Sequence, residues 1–196
     1  MRQKAAPLAA FFFLAFLPAS RAQSVPIFVI PRQEGSIKFH VKASVAIDGT
    51  FEKWDATFTV TSTDASTGVL DVKIQAASVD TGSGMKNGKL MGKDFFDVKD
   101  NPLITFHSDK SVQTGPNTFA VHGTFTIRGV SRPETLNLTL SGKGSGSGVV
   151  KGTMAFDRKD YGMNSGIPFI KIADRVEVSV DLKAKRVSGP PLVFQQ

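Results

Sequence analysis

Residues Ser36–Val60, SIKFHVKASVAIDGTFEKWDATFTV, alternate apolar and polar side chains with a period of two, and that alternation decides the fold class. Ile37, Phe39, Val41, Val45 and Ile47 share one face, while Lys38, His40, Lys42 and Ser44 share the other. Such a pattern belongs to a strand with one buried and one wet side. Asp48-Gly49 is a tight-turn dipeptide and is expected to close this strand. Beyond it Phe51 keeps the odd phase, but Trp54, Ala56, Phe58 and Val60 run on even positions. The change of phase predicts a bulge near Glu52-Lys53.

The same signal continues along the chain. Gly68–Val79 aligns Leu70, Val72, Ile74 and Ala76 on one face. Leu103–Val112 carries Ile104 and Phe106, and Thr118–Arg128 carries Phe119, Val121, Phe125 and Ile127. Glu134–Ser141 offers Leu136, Leu138 and Leu140, and Val149–Asp157 offers Val150, Met154 and Phe156. Asp174–Lys185 sets Val176, Val178, Val180, Leu182 and Ala184 against Glu177, Asp181, Lys183 and Lys185. This amounts to about eight strands with one apolar face each, which suits an all-β antiparallel barrel or sandwich. Ser83–Phe96 breaks the alternation and is compatible with a short helix interrupted by Gly84, Gly88 and Gly92. Ser141–Gly148, SGKGSGSG, reads as a flexible hairpin loop. Residues 188–196, with Pro190-Pro191, read as a loose tail outside the barrel.

Residues 1–22 read as a secretory signal peptide. Arg2 and Lys4 precede the apolar run Ala5–Leu17, and Ser20-Arg21-Ala22 ends it with small residues. The run is far short of the ~20 apolar residues that span a bilayer. A soluble periplasmic protein without stable membrane insertion is therefore expected, its one domain covering residues 23–187. Removing residues 1–22 takes away Arg2, Lys4 and Arg21 and no acid, so the formal charge falls from +7 to +4. The remaining lysines are scattered on outward strand positions, which argues against nucleic acid as a partner. With no Cys, the chain has neither disulfides nor thiolate metal sites, and its core must suffice.

Several separated segments, in order, resemble the YceI-like, polyisoprenoid-binding family. They are Ser78-Val79-Asp80-Thr81-Gly82, Lys93-Asp94-Phe95-Phe96-Asp97-Val98 and Asn101-Pro102-Leu103-Ile104-Thr105-Phe106, followed by Gly123–Pro133 and Arg158-Lys159-Asp160-Tyr161-Gly162. The resemblance runs from Ser36 to about Arg186 and implies an eight-stranded lipocalin-like barrel with a short helical lid, holding a long apolar chain. It departs at Lys86-Asn87-Gly88-Lys89-Leu90, where members commonly show Arg-Asp-x-His-Leu, so that Lys89 stands in place of the histidine.

The mature chain keeps 12 of its 16 Phe. In a closed barrel the inward set Phe39, Val41, Phe58, Val60, Ile74, Phe106, Phe119, Phe125, Met154 and Phe156 would converge, with Phe95 and Phe96 anchoring the lid segment. On pattern alone such residues make a filled core. The resemblance implies instead that they line a channel for an isoprenoid or quinone-like lipid, with Lys86 and Lys89 placed to meet a polar head group. No cofactor or metal is expected. His40, His107 and His122 have no metal-ligand spacing, and His40 and His122 lie on the polar phase. Asp94, Asp97 and Asp100 read as caps and turn residues. Two functions remain: a carrier of an amphiphilic lipid, and a lipid-modifying enzyme using the same cavity, for which no inward acid, base or nucleophile is evident. A homodimer is left open.

Overall fold

The computed structural model describes residues 24–44, 46–142, 146–166 and 171–195. The signal-peptide segment, Val45 and the middle of the Ser141–Gly148 loop lie outside the described residues. The chain forms β1 (Ile27–Val29), β2 (Ser36–Ala43), β3 (Ile47–Phe51), β4 (Trp54–Thr59), β5 (Val69–Gln75) and β6 (Val79–Asp80). After helix α1 (Gly84–Met91) come β7 (Leu103–Gly115), β8 (Thr118–Ile127), β9 (Val130–Ser141), β10 (Ser147–Asp157) and β11 (Ile172–Ser188). All ladder pairs are antiparallel, in the order β4-β5-β7-β8-β9-β10-β11-β2-β3-β6, and β1 adds to β11.

The ends of this order meet because β3 and β4 are one bent strand. β3 pairs with β2 (Phe39 opposite Gly49), and β4 pairs with β5 (Trp54 opposite Ile74). Between them the chain bends at Glu52-Lys53. The bend keeps its own hydrogen bonds: Glu52 N–H donates to Ser78 O at 3.1 Å, and Gln75 N–H donates to Lys53 O at 2.9 Å. Phe51 and Trp54 are both buried, so the phase shift expected from the sequence is the corner that curls the sheet into a barrel. Counted with this bent strand as one, the long strands number eight, and β1 covers the gap that β4 leaves beside β11.

One expected turn is corrected. Asp48-Gly49 lies inside β3, with His40 opposite Asp48, and the chain reverses earlier, between Ala43 and Ile47. Gly49 occupies an inward position for a packing reason: a Cβ there would stand 2.3 Å from Phe39 Cζ. The Phe39 ring fills the place of the missing side chain, so glycine here is a cross-strand partner. The tail is likewise corrected. Residues 189–195 lie against the barrel, with Leu192 and Phe194 packed on the core. Val193 N–H donates to Thr63 O at 2.7 Å.

A second bulge, between Ser108 and Lys110 on β7, reverses that strand's phase. Ile104, Phe106 and Ser108 are buried before it, and Ser111 faces the interior after it. Ser108 is 1 % exposed, and its hydroxyl accepts Leu70 N–H at 2.7 Å, so the buried oxygen is satisfied.

Candidate functional site

The inward faces of the strands do not fill the barrel. Among the described residues, cavities of about 160 Å³ and about 70 Å³ lie within it, and Ile37 lines both. The larger sits at the end formed by the β9–β10 hairpin, β1 and the tail. Four aromatic rings border it: Phe28, Phe58, Phe119 and Phe194. Phe28 meets Phe58 edge-on at 5.7 Å, and Phe119 meets Phe194 at 6.1 Å. Its few polar neighbours, including Ser141, Ser147 and Arg186, belong to the rim of that end. The smaller cavity lies beneath α1, walled by Phe39, Phe51, Phe95 and Phe96.

The expected lining residues divide between the cavities. Phe58 and Phe119 line the larger; Phe39, Val41, Ile74, Phe95, Phe96, Phe125 and Phe156 line the smaller. Val60, Phe106 and Met154 are buried but line neither. Register explains the last two. Phe106 stands between Val72 of the larger cavity and Phe125 of the smaller. Met154 stands between Val150 of the larger and Phe156 of the smaller along β10. Together with Ile37, which lines both, they mark the level at which the two cavities meet, called the waist below.

The stretches that carry the family resemblance converge on the closed end. Ser83 caps α1 by accepting Lys86 N–H. Phe96 N–H then donates to Leu90 O at 2.9 Å, which folds Phe95 and Phe96 under the helix. Arg128-Gly129, both with positive φ, make the two-residue β8–β9 turn. From that turn Arg128 donates to Lys93 O at 3.0 Å and to Gly162 O at 2.7 Å. Asn101 Oδ1 abuts Gly129, where a Cβ would come within 2.7 Å of it. Tyr161, 0 % exposed, packs against Phe125 and Phe156 and donates its hydroxyl hydrogen to Glu134 Oε1 at 2.9 Å. Burial, reinforced by that carboxylate, pushes the phenol well above its ordinary value and keeps it protonated.

Arg158 is the charged residue on the smaller cavity's wall, yet its donors turn away from it. Nε donates to Ala173 O at 3.2 Å and Nη1 to Ser165 O at 2.9 Å and to Met163 O, while Nη2 pairs with Asp174 Oδ1 at 3.0 Å. The guanidinium is thus committed to holding the chain after Tyr161 and offers the cavity its hydrocarbon stem. Lys89 Nζ binds Asp94 Oδ2 at 2.6 Å and lies 5.8 Å from the Phe95 ring centre. Neither Lys86 nor Lys89 lines a cavity.

Sequence reasoning missed the lining contributed by Phe28, Leu192 and Phe194. Phe28 lies in the apolar run VPIFVI, too short to show alternation, and the tail follows a proline pair that reads as a strand stop. The three histidines all sit on the outside: His40 faces Asp48, His107 faces Asp71 and His122 faces Thr135. Among the described residues no group of three His, Cys, Asp or Glu could hold a metal ion, and no helix is long and apolar enough to cross a membrane.

Comparison with known proteins agrees with this architecture. The family model of the YceI-like domain matches residues 28–184. A UPF0312 protein of Pseudomonas savastanoi pv. phaseolicola is 29% identical over 133 residues, covering 65% of this chain and 69% of its own. Among solved structures, BcnA of Burkholderia cenocepacia superposes with a TM-score of 0.71 at 26% identity, over 79% of this chain and 98% of its own. A domain from Saccharophagus degradans described as polyisoprenoid-binding shares the fold, with a TM-score of 0.65 at 15% identity, over 83% of this chain and 99% of its own.

Proposed function

The chain belongs to the YceI-like domain family, and from that premise we propose that it is a periplasmic carrier for an isoprenoid or similar long-chain amphiphile held inside the barrel. The observation that carries this reading is the pair of apolar cavities in file along the barrel, meeting at Ile37. A tube of aromatic and aliphatic walls suits a ligand that is a chain. Each buried methylene contributes about 0.8 kcal/mol without directional chemistry. The fold shared with a polyisoprenoid-binding domain supports the same ligand class.

The volumes set a condition. A cavity of about 150 Å³ takes one benzene, so about 160 Å³ is too small for a long chain. Loading therefore requires the waist to part and the two cavities to join. Met154 is suited to yield, since its unbranched side chain adapts at small cost. Arg158 on the smaller cavity's wall and Tyr161 behind Phe125 and Phe156 have their polar groups committed to structural partners, which favours holding a ligand over transforming one. Export is supported by the basic, apolar, small-residue order of residues 1–22.

Native mass spectrometry of protein purified from the periplasm tests the proposal, together with solvent extraction of the same sample. A mature chain starting near Gln23 and carrying an isoprenoid mass is expected. A bare chain with no extractable lipid and no uptake of added polyprenol would overturn the carrier reading, and retention of Met1 in a membrane fraction would overturn the export reading.

A further inference from the structure

Resting on the carrier reading, we propose that ligand passes through the end of the barrel opposite α1, and that the C-terminal segment is a strap that must leave this portal for ligand to pass. The two ends of the barrel are closed in different ways. Beneath α1, Phe95, Phe96 and Tyr161 are at most 7 % exposed, and the Arg128 bridges tie the surrounding loops together. Opening that end means exposing those buried rings and breaking the Arg128 bridges.

The other end is closed by side chains that are only half-buried. Leu192 and Phe194 border the larger cavity, with Phe194 against Phe119. They occupy room that an incoming chain would need. The segment is attached through main-chain hydrogen bonds at two points near the surface. Val193 adds as a single parallel bridge beside Asp64: it donates to Thr63 O at 2.7 Å, and its carbonyl accepts Ala65 N–H at 3.0 Å. The Gln113 amide clasps the Gln195 main chain, accepting its N–H and donating to its carbonyl, each at 2.8 Å. Exposed hydrogen bonds with little buried apolar area mark the low-stability end of a structure, from which moving elements are drawn.

The chain also supplies a pivot and a lever. Gly189 has φ of +79°, and a Cβ there would come within 2.3 Å of Val25 O, so the bend out of β11 is fixed at a residue only glycine fills. Pro190-Pro191 follow and stiffen the arm, so that it swings as a unit. The strap and the ligand thus compete for one surface, the Phe119 side of the larger cavity.

Two full-length variants test this with retinol, an isoprenoid alcohol whose uptake is read by energy transfer from Trp54, the chain's one tryptophan. L192A/F194A weakens the strap and is expected to take up and release retinol about tenfold faster than the parent. D64C/V193C staples the strap across its bridge. The parent has no Cys to compete, and bridged neighbours lie within disulfide reach. Oxidised D64C/V193C is expected to load at least about tenfold more slowly than the same sample after reduction. Equal rates in the oxidised and reduced forms, with retinol still bound, would overturn the strap and leave the carrier reading standing. Absence of transfer in every form, including L192A/F194A, would overturn the carrier reading itself.

Discussion

The Phe39 ring lies over Gly49, its cross-strand neighbour, so closely that a methyl group at position 49 would stand 2.3 Å from Cζ. The ring cannot simply swing aside, because Phe51 lies at 5.6 Å and Phe96 at 6.4 Å. Gly68 lies against Phe58 in the same way, since a Cβ there would stand 2.2 Å from its Cε2. One ring seated on a glycine thus borders each cavity. Gly49→Ala is expected to destabilise the barrel by about 1–3 kcal/mol through overpacking. Phe39→Leu should relieve part of that cost, giving a coupling in the double-mutant cycle. Additive urea-melt values would show that the seat is not a constraint.

The Tyr161–Glu134 bond joins the element after β10 to β9 at the closed end. Tyr161→Phe keeps the ring contacts with Phe125 and Phe156 and removes only the donor. A loss of about 1–2 kcal/mol is expected, with the cavity walls unchanged. Equilibrium unfolding measures it, and unchanged stability would mean that water replaces the phenol at no cost.

Acid should loosen the loop that Arg158 holds. The Asp174 carboxyl is held below its ordinary value of 3.8, chiefly by its hydrogen bond to Lys159 and also by Arg158. A depressed carboxylate stabilises fully above its unfolded value and ceases to do so as pH falls through its folded value. The melting temperature is therefore expected to fall as pH drops below about 3.8. Asp174→Asn should flatten that limb while lowering stability at neutral pH. A parallel acid limb in the variant would assign the loss to other carboxylates, such as Asp80 or Asp94.

Lys86 and Lys89 give a direct contrast between the two ends. With the portal opposite α1, Lys86→Ala/Lys89→Ala should leave retinol uptake and release unchanged, and should remove only the exposed Lys89–Asp94 pair, which salt and solvent screen. Slower or faster exchange in this double variant would return the head-group role to the helix end.

Strand positions, facing and the corner at Glu52-Lys53 were legible because each depends on a local repeat. Ile37, Phe39, Leu70, Ile74, Phe125 and Phe156 all face inward as the alternation requires. The Asp48-Gly49 turn was misplaced because a glycine needed beneath a ring looks, in sequence, like a glycine needed for a bend. The bulge at β7 reverses its strand's facing without an apolar marker, since Ser111 is what comes inward. Nothing in the alternation marks Arg158 for burial, and only the fold shows the carbonyls that hold it. The segments that resemble the family most strongly build the closed end. The portal is made by β1, the β9–β10 hairpin and the tail, where sequence pattern is weakest.

The waist at Phe106, Met154 and Ile37 turns chain length into a kinetic threshold. A ligand short enough for the outer chamber never has to part those side chains and should equilibrate as soon as the strap moves. One segment longer, its far end must wedge between them, and leaving then requires two separate openings in sequence. Residence time should therefore rise in a step as prenyl units are added. The barrel would sort lipids by how long they stay, even where the affinity per carbon is the same.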